Sequence, residues 1–248
     1  MVIDILRSEW TKIRSVRSTM WTLGVTGALM LGFSALINLT AESMAKGRPV
    51  PGEQVLSASL TGVMFASLAM ATLGVLVISG EYRTGSIRTS LMAVPQRLML
   101  LTGKLVAFSA VALAVSTVAA AGAIGVGVVI SQPPSLTAGE IVRAALGAGL
   151  YLTACGLFGL GLGSLIRHTP GAIVSAIALI MVLPTLTVQL PGEWGRTVSE
   201  HFTTNAGLLV VSGQSNGSLG PWSGFAVYLV WVAVAVVAGA VLMKRRDA

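Results

Sequence analysis

The sequence predicts an all-α integral membrane protein with six transmembrane helices, an amphipathic N-terminal interfacial helix and one short cytoplasmic helix. Three observations carry this. Hydrophobic residues make up 54% of the 248 and charged residues only 10%, whereas a soluble domain carries about 25% charged residues. Mean hydropathy is +0.84, so the chain lacks the polar surface that would cover a water-soluble globule. The apolar runs are also long and unbroken, unlike the roughly ten-residue alternating segments of a membrane barrel. In a bilayer every backbone polar group must be satisfied internally, which leaves helices.

The chain opens on a basic, amphipathic stretch, residues 1–19. Ile3, Leu6, Trp10 and Ile13 recur at helical spacing with Val16 close by, while Arg7, Glu9, Lys12 and Arg14 fall mainly on other faces. Such a helix lies along a membrane with its apolar face in lipid and its basic side chains near anionic headgroups. Trp10 and Trp21 are natural interfacial anchors. The stretch reads either as a basic leader that sets topology or as an elbow running along the inner leaflet into the first span. It is too charged, and the apolar run after it too long, for a cleavable signal peptide.

A span needs about 20 mainly apolar residues, and six segments qualify: 20–39, 59–79, 99–130, 141–166, 171–190 and 224–243. The third exceeds the hydrocarbon thickness, so it tilts or projects. The fourth holds Gly159 and Gly163 at the spacing that lets helices approach closely, either within one subunit or at a seam between two. The lone Cys155 in that span cannot form an intrachain disulfide and reads as a small packed side chain. Pro184 should kink or end the fifth span. Beyond it, 191–223 is a mixed extracellular segment whose short apolar stretch, 207–211, either re-enters the membrane edge or packs on the outer surface.

Orientation follows from basic residues in the loops. Arg7, Lys12, Arg14, Arg17, Arg83, Arg88, Arg97, Lys104, Arg167, Lys244, Arg245 and Arg246 gather at one set of helix ends, against only Lys46, Arg48, Arg143 and Arg196 at the other. An even number of spans then makes the chain multi-pass with both termini in the cytoplasm.

Several function classes are disfavoured. The net charge of +7 would point to nucleic acid in a soluble protein, but here the basic residues sit at the ends of apolar runs, so the partner is membrane lipid and no nucleic acid. No ionisable residue lies near the middle of a predicted span, which argues against a proton-coupled carrier. There is no GxxxxGK[ST] phosphate loop, so the chain should not hydrolyse ATP itself. An intramembrane enzyme lacks support: no HExxH occurs, His168 and His201 fall on opposite sides and cannot share a metal, and a Ser–His pair through His168 has no accompanying motif. No catalytic or metal site is expected.

The loop between the second and third spans, 80–98, is longer than a simple connection requires. Gly85 breaks the second helix, Thr84 or Ser86 caps a new one, and Val94-Pro95 closes it, because the residue before proline avoids the helical region. A short helix over 86–93 would present Ile87, Leu91 and Met92 as apolar knobs beside Arg88. It reads as a docking element or as a surface helix lying on the membrane.

The basic leader, the second span ending in Gly-Glu-Tyr-Arg-Thr-Gly-Ser-Ile-Arg-Thr, the following Pro-Gln-Arg and the long third span together resemble the type-2 ABC transporter permeases. The resemblance covers the whole chain. It implies a dimer, with a second copy or a relative, docked on two separate ABC ATPase subunits that bind ATP and Mg. No cofactor belongs to this chain. It implies that Glu81, Tyr82, Arg83, Gly85, Ser86, Ile87, Arg88, Leu91 and Met92 form the coupling region seated in the ATPase, with Trp10, Lys12 and Arg14 in the elbow. The path would run between the second and fifth spans, giving Met64, Phe65, Met70 and Thr72 with Ile177, Met181, Thr185 and Gln189 as candidate lining. The cargo would be exported and lipophilic: a drug, lipid or peptide. A non-transporting immunity or sensor subunit is the alternative that shares this composition.

Overall fold

The computed structural model describes residues 2–45, 48–84 and 97–245. It is 86% helical, with no sheet among the described residues. α1 (Val2–Ser15) leads into α2 (Arg17–Ala45), the first span; α3 (Gly52–Ser59) and α4 (Val63–Thr84) together make the second. Spans three to five are α5 (Arg97–Ser131), α6 (Ala138–Ile166) and α7 (Thr169–Thr187). Three short helices follow, α8 (Gly192–Glu200), α9 (Thr203–Gly207) and α10 (Leu209–Ser212), before α11 (Pro221–Arg245), the sixth span. Six helical stretches are long and apolar enough to cross a membrane, and the chain is an all-α integral membrane protein.

Helix ends lie where hydrogen bonds put them, beyond the apolar stretches themselves. α6 starts on a reciprocal cap: the Thr137 side chain accepts from the Glu140 N–H, and the Glu140 carboxylate accepts from the Thr137 N–H at 2.8 Å. Two orphan amides are satisfied there by polar residues that hydropathy does not score.

α6 is the axis of the bundle. In its most apolar stretch 78% of residues are buried, against 22–28% for spans one, three, five and six. Glycine allows this. A Cβ on Gly159 would overlap the Ala71 carbonyl, one on Gly74 would overlap the Gly156 carbonyl, and one on Gly163 would lie 2.6 Å from Ile78. The Gly159–Gly163 pair therefore packs spans two and four of one subunit backbone to backbone. Away from this seam, spans one, two and three are tied by a buried polar knot. Asn38 donates to Ser59 at 3.1 Å and accepts from Ser131 at 3.3 Å, while Ser34 donates to the Ala123 carbonyl at 2.6 Å.

Pro184 neither ends nor sharply breaks span five. The helix passes through a π-helical turn, Ala178–Val182, directly before it. A proline supplies no N–H to the preceding turn, and the carbonyls left without that donor are met from outside. The Thr203 hydroxyl donates to the Leu179 carbonyl and the Thr204 hydroxyl to the Ile180 carbonyl, both at 2.8 Å. Asn205 donates to the Pro184 carbonyl at 3.2 Å. The stretch 207–211 then packs into the groove between spans four and six, where Leu209, Val210 and Val211 are buried. A Cβ on Gly147 would overlap the Val210 carbonyl, and one on Gly207 would lie 2.7 Å from the Tyr228 ring. Gly147 is about 6 Å along the helix from Arg143, so the stretch inserts beside the apolar part of span four and does not lie across its end.

Candidate functional site

The basic end of the bundle brings charged side chains from three elements into contact. Lys104, in the second turn of α5, donates to Glu9 of α1 at 2.6 Å and to Glu81 of α4 at 2.9 Å. Lys12 of α1 bridges the same two carboxylates, at 2.7 Å to Glu9 and 3.0 Å to Glu81. The four charges cancel. Glu9 and Lys104 are 1% and 3% exposed, and charges taken out of water persist only when paired in good geometry. Burial alone would raise the Glu9 pKa, but Lys104 and then Lys12 hold it below the ordinary value. For Lys12, burial would lower the pKa, yet Glu9 and Glu81 raise it.

This arrangement corrects the reading of α1. Glu9 and Lys12 are turned to the bundle, where they reach Lys104 of span three and Glu81 of span two. Trp10 and Arg14 point outward, Trp10 being 55% exposed. The reason is energetic: burying an unpaired Lys104 in span three is prohibitive, and α1 brings Glu9 to it as a second carboxylate beside Glu81. Glu9 and Lys104 were not among the expected functional residues. Their signal was present, though, as a lone charge seven residues after Arg97 in an otherwise apolar run.

Tyr82, next along α4, faces the other way. The Arg167 guanidinium lies over its ring, 4.9 Å from the centroid, a cation–π contact that ties span two to the turn between spans four and five. The basic end of span two is thus held on both faces, by Glu81 and by Tyr82, just before residues 85–96. Gly85, Ser86, Ile87, Arg88, Leu91 and Met92 lie outside the described residues, as does the Arg83 side chain.

The candidate path residues are dispersed. Met64 and Phe65 are exposed near the start of α4, where Phe65 stacks on Phe33 of span one at 4.5 Å between centroids. Thr72 is half-buried, while Met70 is wholly buried inside the chain. On span five, Ile177 and Met181 are half-buried and Thr185 and Gln189 exposed. Thr185 donates to the Met181 carbonyl at 2.7 Å.

A family model described as ABC-2 family transporter protein matches residues 14–248. No curated protein matches the chain. The match runs from the end of α1 through all six spans, so this chain belongs to the ABC-2 family of transporter proteins as a membrane component.

Proposed function

We propose that this chain is the permease subunit of an ATP-driven exporter in the bacterial plasma membrane, with both termini cytoplasmic. It pairs with a second copy or a relative and works with two ATPase subunits, which bind ATP and Mg²⁺. The supporting observation is the double hold on span two: Glu81 is tied to α1 and span three, and Tyr82 to the turn between spans four and five. Residues 85–96 issue from that point. Displacing the loop by ATPase closure would move elements on both sides of span two together, which a loosely hung loop could not do.

In this reading Glu81, Tyr82 and Arg83 anchor the coupling helix, and Ile87, Leu91, Met92 and Arg88 seat it in the ATPase. The exposed Met64, Phe65, Thr185 and Gln189 remain candidates for a surface shared by partner, cargo and lipid, and adaptable Met and aromatic side chains suit a lipophilic cargo. Co-expression with the cognate ATPase should yield a stable two-plus-two complex. Failure of any ATPase to co-purify or to be stimulated would overturn the exporter reading. Gly85→Pro and Ile87→Asp should each lower stimulated ATPase activity with membrane insertion intact.

A further inference from the structure

Between the basic end of span two and the turn into span five lies a pocket of about 750 Å³. Its polar lining is a guanidinium, an imidazole and hydroxyl groups, all able to donate. The Arg167 guanidinium borders it, and its Nε is buried with no hydrogen-bond partner among the described residues. Ser79 is 2% exposed, and its hydroxyl also finds no partner among the described residues. His168 accepts the Gly171 N–H on Nδ1 at 3.3 Å, which leaves Nε2 as a donor. Thr169 adds a hydroxyl at the start of α7. No carboxylate lines the pocket among the described residues. Its remaining wall, Pro170, Ile173 and Val174, is apolar, and Val174 is 65% exposed on the outside of the bundle.

The backbone at Arg167 adds a second point. Its φ of 57° is left-handed, a conformation that favours glycine at a helix C-terminus. Arginine is therefore there for its side chain. The Tyr82 contact uses one face of the guanidinium and leaves its edge available for planar, charge-assisted bonding to an oxyanion.

We infer that this pocket binds a phosphate group, through Arg167, Ser79 and the Thr169 hydroxyl, with Ile173 and Val174 accommodating an acyl chain when an anionic phospholipid carries it. The site does not depend on the exporter reading, because it needs neither an ATPase nor a cargo. The test uses the full chain in detergent micelles, with retention of dioleoyl phosphatidylglycerol followed by native mass spectrometry and inorganic phosphate as the second probe. Arg167→Gly suits the left-handed backbone and should weaken retention about tenfold or more, and Ser79→Ala about threefold. Retention of the lipid that excess phosphate does not displace identifies a headgroup site. Phosphate binding with the same sensitivity to both substitutions identifies free phosphate as the source. The inference is overturned if neither probe is retained, or if retention is equal in the wild type and both variants. Should Arg167→Gly fail to fold, unchanged retention in Ser79→Ala alone overturns it.

Discussion

The two ends of the bundle are held by different chemistry. At the basic end, α1 joins spans two and three through two buried carboxylates and two ammonium groups. At the opposite end, 203–211 is held by hydroxyl-to-carbonyl bonds on span five and by glycine contacts with spans four and six. Buried ion pairs depend on every member being present, and such a cluster has discrete alternatives when one partner moves. Backbone packed on glycine is held by close contact instead, and carries no charge whose partner can be removed.

That contrast is most exposed to Lys104→Met. The substitution leaves Glu9 and Glu81 sharing Lys12 alone, and breaking a buried pair by removing one partner costs about 3–5 kcal/mol. Thermal unfolding in micelles should show a large loss, with α1 becoming protease-sensitive before the spans do. Replacing Glu9, Lys12, Glu81 and Lys104 together with apolar residues of similar size should recover most of that stability. If the single substitution is neutral, the ionic end is not what holds α1.

At the opposite end, Gly147→Val forces a side chain against the Val210 carbonyl and should cost about 1–3 kcal/mol as an overpacking change. Thr204→Val keeps shape but removes the hydroxyl that serves the Ile180 carbonyl. Leaving that acceptor unmet should cost about 1–3 kcal/mol. Both losses belong to the whole bundle, so unfolding should remain a single transition. A separate early transition of 191–220 in either variant would show the insert to be an independent unit.

The fold class was legible because run length and charge deficit act on the whole chain: six long apolar helices follow whatever the details of packing. The helix seam through Gly159 and Gly163 was visible as a spacing, but not as belonging to spans two and four, because spacing does not name the partner helix. Glu9 was misread for a related reason. Periodicity identifies which residues share a face of α1, yet a lone Lys104 on another helix decides which face turns inward. The caps of span five were hidden more deeply. Thr203 and Thr204 look like ordinary loop residues until Pro184 and the π turn are seen to leave carbonyls within their reach. The position of 207–211 depends in turn on Gly147 of span four and on Gly207 against Tyr228 of span six, which carry no hydropathy signal.

Proton titration offers a smaller perturbation of the ionic end. Glu9 has a pKa below its ordinary 4.5, so its contribution is fully present above that value and is lost as pH falls through the lowered pKa. Lys12 has a pKa above its ordinary 10.5, so its contribution is fully present below that value and is lost as pH rises through the raised one. The stability gap between wild type and Glu9→Gln should therefore be constant through neutral pH and close on acidification. A gap that widens in acid would reverse the sign assigned to Glu9.

The smallest expected effect comes from the residue beside Glu9. Trp10 is 55% exposed, and a surface substitution away from packing usually stays within about 0.5 kcal/mol. Trp10→Ala should therefore leave micelle unfolding nearly unchanged, whereas Glu9→Ala, one position away, leaves Lys104 without its closest carboxylate. Consecutive helical positions point about 100° apart, so the two variants read different faces of one helix. In bilayers the order can shift, since an indole at the headgroup level anchors α1 to the membrane. Loss of Trp10 should then show as faster quenching of a label on α1 by aqueous reagents, with the ion cluster intact. Equal destabilisation by both substitutions in micelles would mean that α1 is gripped all round, and that its inward face is not set by Lys104.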